Sequence, residues 1–213
     1  MRKNPEARRA EIVAAAAAIA LAEGLECITM RRVADELAVR PGLISHYFPV
    51  AEDLVAEAFG VAATTELDEL IPAGRPEGEA LEDLARFFLL TTGDRFDGMS
   101  RLWLNARHLS RYRDRLCDRV GHQEAQWRER LTQLIRDGVA AGVFRTEDPE
   151  VTAIQILVIL DGLGAHANTE RANRPPAVRA MAITTAEREL GVPAGRLTEL
   201  MPHFREEPRA ERD

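Results

Sequence analysis

Aromatic residues make up only 5% of the 213-residue chain. A cage for a quaternary ammonium needs several aromatic faces, and the composition offers little material for one. Cysteine is scarcer still. Cys27 and Cys117 lie far apart with no metal-like spacing, which fits free thiols in a reducing cytoplasm. The five histidines (His46, His108, His122, His166 and His203) are scattered. Their closest helical pairings, Asp118 with His122 and His166 with Glu170, each join one imidazole to one carboxylate. That is too few for a metal held by three protein ligands. No glycine-rich phosphate loop follows a strand, and no nucleophile elbow occurs. The expectation is no metal, no cofactor, no catalytic residue and no enzyme. No apolar run approaches the roughly 20 uninterrupted residues of a membrane span. The basic N-terminus also lacks the apolar core and cleavage site of a secretory signal. Strand alternation and internal repeats are missing as well, so the expected fold class is all-α in a cytoplasmic protein.

What is present is helical periodicity and an uneven distribution of charge. The net charge is −7. Residues 1–50 nevertheless hold seven cations against six acids, a balance of +1 that leaves −8 on the remainder. An acidic body with a neutral-to-basic end can bind nucleic acid where its cations converge on one face, though its hold on random duplex is modest.

The stretch that organises the chain is ITMRRVADELAVRPGLISHYF, Ile28 to Phe48. Thr29 suits a helix N-cap, with Ile28 and Val33 at the staple positions around it. Met30, Val33, Ala34 and Leu37 then recur at helical spacing. Pro41 suits the first position of a second short helix, on which Leu43, Ile44, Tyr47 and Phe48 are free to pack while Ser45 and His46 point outward. A tight helix pair whose second member carries outward polar groups is the arrangement of helix-turn-helix DNA readers. A plain helical hairpin would show much of the same pattern.

The run from Arg32 to Phe48, with an alanine-rich helix before it and an apolar helix after it, resembles the DNA-binding domain of the TetR family. Thr29, the Val33-Ala34 pair, Leu37, Val39, Gly42, the Tyr47-Phe48 end and Leu54 carry the resemblance. GLISHYF (Gly42 to Phe48) is similar to the branch that contains the choline-sensing repressor. Three positions depart from the family pattern. Ala38 stands where glycine is frequent in the turn, Arg40 where a serine or threonine caps the recognition helix, and Ala51 where a lysine often holds a phosphate. In the complex that the resemblance implies, Arg40, Gly42, Leu43, Ser45 and His46 face the major groove or its rim, and Pro41 is among the DNA-binding residues. Arg40 suits a guanine edge and Leu43 a thymine methyl. Thr29, Tyr47 and one of the adjacent pair Arg31 and Arg32 would hold phosphates, fixing register without reading sequence. The other arginine would pair with acids such as Glu36.

Along the rest of the chain, Asn4-Pro5 starts a first helix that Gly24 ends, and Glu52-Asp53 open a linking helix to about Leu70. The break at Pro72–Pro76 is the expected domain boundary. The expected domains are 1–49 for the helix-turn-helix, 50–71 for the linking helix, 77–204 for ligand binding and dimerisation, and a disordered tail over 205–213. Within the third, helices are expected over Ala80–Thr92, from Asp97-Gly98 through Ala106, over Tyr112–Ala141, over 150–167 and over 177–190, with a loop at Arg171–Pro176 and a short helix from Leu197 to Phe204. Ile154 to Leu160 is apolar nearly all round, which asks for burial on more than one side. A central helix within one subunit would satisfy that, and so would a four-helix bundle with a second copy.

The resemblance favours a homodimer through helices 150–167 and 177–190, since TetR-like proteins pair through their last two helices. A two-fold dimer would also set two readers about 34–36 Å apart, in successive major grooves. RLWLNARHLSRYRDRL (Arg101 to Leu116) and Asp161-Gly162-Leu163 resemble the effector domain of the choline-sensor branch. The resemblance implies a pocket for a small-molecule effector, with Phe88, Trp103, Asn105, Arg107, His108, Trp127, Asp161 and His166 as candidate contacts. The whole reads as a ligand-responsive transcriptional regulator, a repressor that binds a palindromic operator in double-stranded DNA and is released by a small molecule. The alternative is a helical small-molecule-binding protein or enzyme with no DNA role.

Overall fold

Asn4 and Pro5 start the first helix in the computed structural model, which describes residues 4–74, 78–91, 94–169 and 175–204. The Asn4 side chain accepts from the Glu6 N–H at 3.2 Å, and Pro5 takes the first helical position. Helix α1 (Pro5–Glu23) ends at Gly24, and a 3-10 turn (Leu25–Cys27) leads into α2 (Met30–Glu36), α3 (Pro41–Tyr47) and α4 (Ala51–Leu70). Then follow α5 (Ala80–Thr91), α6 (Asp94–Ser110), α7 (Asp114–Ala140), α8 (Pro149–Thr169), α9 (Pro176–Arg179), α10 (Met181–Glu189) and α11 (Arg196–Leu200), closed by a 3-10 turn (Met201–Phe204). No strand occurs among the described residues. The fold is all-α, with an N-terminal helix-turn-helix and a helical C-terminal part.

Most elements stand within a residue or two of their expected bounds. Three expectations change. Helix α6 begins at Asp94 rather than Asp97-Gly98, so Gly98 lies inside a helix. The stretch from 177 to 190 is two helices, because Ala180 forms a turn between them at φ −82° and ψ −2°. And α8 is long and apolar enough to cross a bilayer by length and composition, with 28% of it buried within the chain. Polar residues such as Gln155 and Asp161 interrupt the strict run without lowering its average much. Arg75, Pro76, the loop at Arg171–Arg174 and the tail over 205–213 lie outside the described residues.

The described residues pack as two compact units. The first takes the described residues within 4–67 and 98–126, and the second those within 68–97 and 127–204. The core of the first is built on Ile12, Leu25, Val33, Ile44, Phe48, Leu54, Phe59 and Leu116, all essentially without exposure. In the second, α5 packs on α11 and α8 on α10. There Leu84, Phe87, Phe88, Leu131, Leu134, Ile156 and Leu197 are buried. Phe144 lies against the bare backbone of Gly138, where an added Cβ would stand 2.0 Å from its Cδ2. The buried Glu187 carboxylate accepts the N–H groups of Gly195 and Leu197, each at 2.9 Å, and so caps α11.

Candidate nucleic-acid interface

Helix α2 is short, and its entry is built from side chains. Thr29 Oγ1 accepts the Arg32 N–H at 3.0 Å, while Ile28 and Val33 are buried on either side of the cap. A hydroxyl that accepts this bond still has a proton to donate. The helix ends with Val39 N–H bonded to Ala34 at 2.9 Å. Between them Ala38 adopts φ 52°, the one positive φ outside glycine among the described residues. That reverses the chain and costs an L-residue about 1–2 kcal/mol.

Helix α3 starts at Arg40, whose extended backbone serves as N-cap without a side-chain hydrogen bond. Pro41 follows at the first position, and Leu43 N–H bonds the Arg40 carbonyl at 2.9 Å. Ile44 and Phe48 are 0% and 1% exposed and anchor the helix. They leave Arg40, Pro41, Gly42, Ser45 and His46 exposed, with Leu43 and Tyr47 half-buried at the edges. Ser45 Oγ donates to the Pro41 carbonyl at 3.4 Å, and the His46 ring meets that of Tyr47 edge-on with centroids 5.4 Å apart. A side chain at Gly42 would meet nothing in the protein, so packing does not demand a glycine there.

The two adjacent arginines have different partners. Arg32 bonds Glu23 at 2.6 Å and Glu36 at 2.7 Å, which ties α1 to α2. The hydrogen bond from Arg32 holds the Glu23 carboxyl below its ordinary range, and Glu23 and Glu36 raise the already basic guanidinium of Arg32. Arg31 is 87% exposed with Asp35 at 4.0 Å. Arg40 has no acidic partner among the described residues.

Sequence reasoning missed Arg9 and Glu26. The Arg9 guanidinium bonds Glu57 of α4 and stacks 4.6 Å from the Phe48 ring centroid, joining three helices. That bond to Glu57 raises the Arg9 pKa further. Glu26 meets Asn105 across 79 positions of sequence. No local pattern signals either contact.

The effector candidates divide between the units. In the first, Trp103 is buried, donates its indole N–H to Glu66 at 3.0 Å and meets Phe59 edge-on at 5.0 Å. Arg107 bonds Glu124 at 2.8 Å and lies 5.0 Å from the Trp103 ring centroid. His108 is exposed beside Tyr112, and the Asn105 amide is engaged with the turn after α1. In the second, Phe88 and Trp127 are buried while Asp161 and His166 are exposed. Two open clefts on the first unit, of about 390 and 450 Å³, share Glu57 and Arg119 and include none of these candidates. Among the described residues no group of three or more His, Cys, Asp or Glu could hold a metal.

Residues 12–58 match the family profile described as bacterial regulatory proteins, tetR family, and residues 77–191 the profile of the BetI-type transcriptional repressor, C-terminal. No curated protein sequence matches the chain. Among solved structures, a TetR transcription regulator from Haloarcula marismortui is 23% identical, with a TM-score of 0.72 over 87% of this chain and 99% of that one. A Rhodococcus sp. protein assigned to the TetR family is 22% identical, with a TM-score of 0.71 and the same coverages, 87% and 99%. A Saccharomonospora viridis protein assigned as a transcriptional regulator, solved in complex with choline, is 22% identical with a TM-score of 0.68, covering 87% and 98%.

Proposed function

Because the chain belongs to the TetR family of bacterial DNA-binding transcriptional regulators, which are not enzymes, we propose that it is a dimeric cytoplasmic repressor whose α3 reads a palindromic operator. The observation that carries this reading is the face of α3. Ile44 and Phe48 hold the helix inward, while the side chains of Arg40, Ser45 and His46 and the bare Gly42 stand in the open, engaged only by the weak Ser45 bond and the edge-on contact of His46 with Tyr47. A major groove accepts such a helix. The bare Gly42 allows close backbone approach, and Arg40 has the free fork that a guanine edge takes. Arg31, Thr29 and Tyr47 flank this face and suit phosphates. Ala51 at the start of α4 supplies no cation there, which shifts the load onto α3 and Arg31.

The proposed domain division runs 1–49, 50–71 and 77–204, reader, linking helix and ligand-binding and dimerisation part. Dimerisation is supported by an apolar stripe of exposed side chains. Val151, Ile154 and Val158 lie on one face of α8, and Val178 and Met181 are exposed on α9 and α10. An exposed apolar stripe of this kind marks an interaction surface, and a second copy would cover it with the same residues. A small-molecule effector would release the operator by its differential affinity for a spacing of the two readers that no longer fits the grooves.

Selection of bound duplexes from a random pool, repeated with candidate small molecules, tests the reading. The expected result is an enriched inverted repeat whose binding weakens steeply as salt rises and falls when one compound is added. A pool that enriches no sequence overturns it.

A further inference from the structure

The side chain of Asn105 on α6 is spent on the turn that leads into the helix pair. Its Oδ1 accepts the Leu25 N–H at 2.9 Å, and its Nδ2 donates to the two Glu26 carboxylate oxygens at 2.8 and 2.9 Å. Leu25 is 0% exposed, and Gly24 before it, at φ 106°, provides no side-chain cap to the 3-10 turn. The Leu25 N–H would otherwise be an orphan at a helix start, so Asn105 acts as a cap delivered from another part of the chain. Two residues after Cys27, Thr29 caps the start of α2. Hydrogen bonds weaken steeply once stretched or bent, so α6 cannot shift against the turn without breaking these contacts or carrying the turn with it.

We propose that Asn105 is a positioning residue of the DNA reader: through Leu25 and Glu26 it sets α2 and α3 against α6, and movement of α6 reaches the reader through these hydrogen bonds. This rests on the regulator reading above. It adds a route to the reader that does not run through the linking helix α4, and it turns Asn105 from a candidate ligand contact into a transmission contact.

The test uses the full chain, the selected operator and a random duplex. Asn105→Ala should speed hydrogen exchange at the Leu25 amide and lower operator affinity about tenfold while random-duplex affinity changes less than about twofold, because both the cap on Leu25 and the charge-assisted contact with Glu26 are removed. Asn105→Asp keeps an acceptor for the Leu25 N–H but sets two carboxylates face to face, and it should lower operator affinity in the same way. Adding Glu26→Gln to it restores a donor opposite the new carboxylate, and the double variant should return to within about threefold of the original affinity. A merely structural role would not produce that rescue. If the Asn105→Ala chain folds poorly, the Asp and Asp/Gln pair carries the test by itself. Unchanged Leu25 exchange with an unchanged operator-to-random ratio overturns the proposal, and so does a double variant no better than Asn105→Asp. An original chain that selects no duplex overturns the regulator reading instead, and this proposal with it.

Discussion

The guanidinium of Arg9 sits 4.6 Å from the centre of the Phe48 ring and bonds Glu57 at the same time. One side chain of α1 therefore fixes the end of α3 and the first half of α4. Phe48 is almost fully buried, so its ring is a firm base for the contact. Arg9→Ala should destabilise the first unit by about 1 kcal/mol, combining a partly exposed cation–π contact with an exposed ion pair. Operator affinity should fall with it. Arg9→Lys, which keeps the charge but loses the planar fork, should recover only part of the loss. Urea unfolding and a duplex titration measure both.

Ala38 occupies left-handed backbone at φ 52° on an exposed turn. Ala38→Gly should raise stability by about 1 kcal/mol, the relief of the Cβ clash less the greater entropy of an unfolded glycine. The urea midpoint should rise with an unchanged slope. A fall in stability would mean that the turn does not carry this strain.

Val158 is 63% exposed in the single chain, the most open apolar side chain of α8. Val158→Glu should therefore leave the monomer fold within about 0.5 kcal/mol. It should dissociate the dimer at micromolar concentration and weaken operator binding, because two half-sites are no longer read together. Analytical ultracentrifugation decides. A chain that is already monomeric before substitution removes the bundle.

Glu23 has its carboxyl held below the ordinary range by the bond from Arg32. The stability it adds is present above its ordinary titration range and is lost as pH falls through the depressed value. Arg32 stays charged throughout, so its own rise adds no slope in this window. Between about pH 6 and pH 3 the urea midpoint of the first unit should fall, and Glu23→Gln should flatten part of that fall. The effect is small, because both groups face solvent.

Much of the fold was legible because its signals are local. Asn4-Pro5, Thr29 and Pro41 cap or open helices in the structure at the places their chemistry suggested. The outward set on α3 was legible for the same reason, since a seven-residue helix held by buried Ile44 within it and buried Phe48 at its C-cap leaves little choice of face. Ala38 stands where the family often has glycine, and its φ of 52° is a conformation that glycine adopts more readily. What stayed hidden depends on distant partners. Nothing around Arg9 announces Phe48 and Glu57, and nothing around Asn105 announces Leu25, 80 positions away. Gly138 likewise reads as a helix weakener until Phe144 is seen to need its bare backbone. The break at Ala180 carries no proline or glycine to mark it.

The acids gathered around the arginines of the first unit also govern how this protein would search a genome. Among the described residues of the first fifty, Arg8 is bound to Glu11, Arg9 to Glu57 and Arg32 to Glu23 and Glu36, which leaves Arg40, and Arg31 with Asp35 at the long distance of 4.0 Å, as the least engaged cations. Few counterions are then released on a random stretch of duplex, and each chance landing is brief. The protein would slide short distances, return to solution often, and find its operator by many separate encounters rather than by long travel along one molecule.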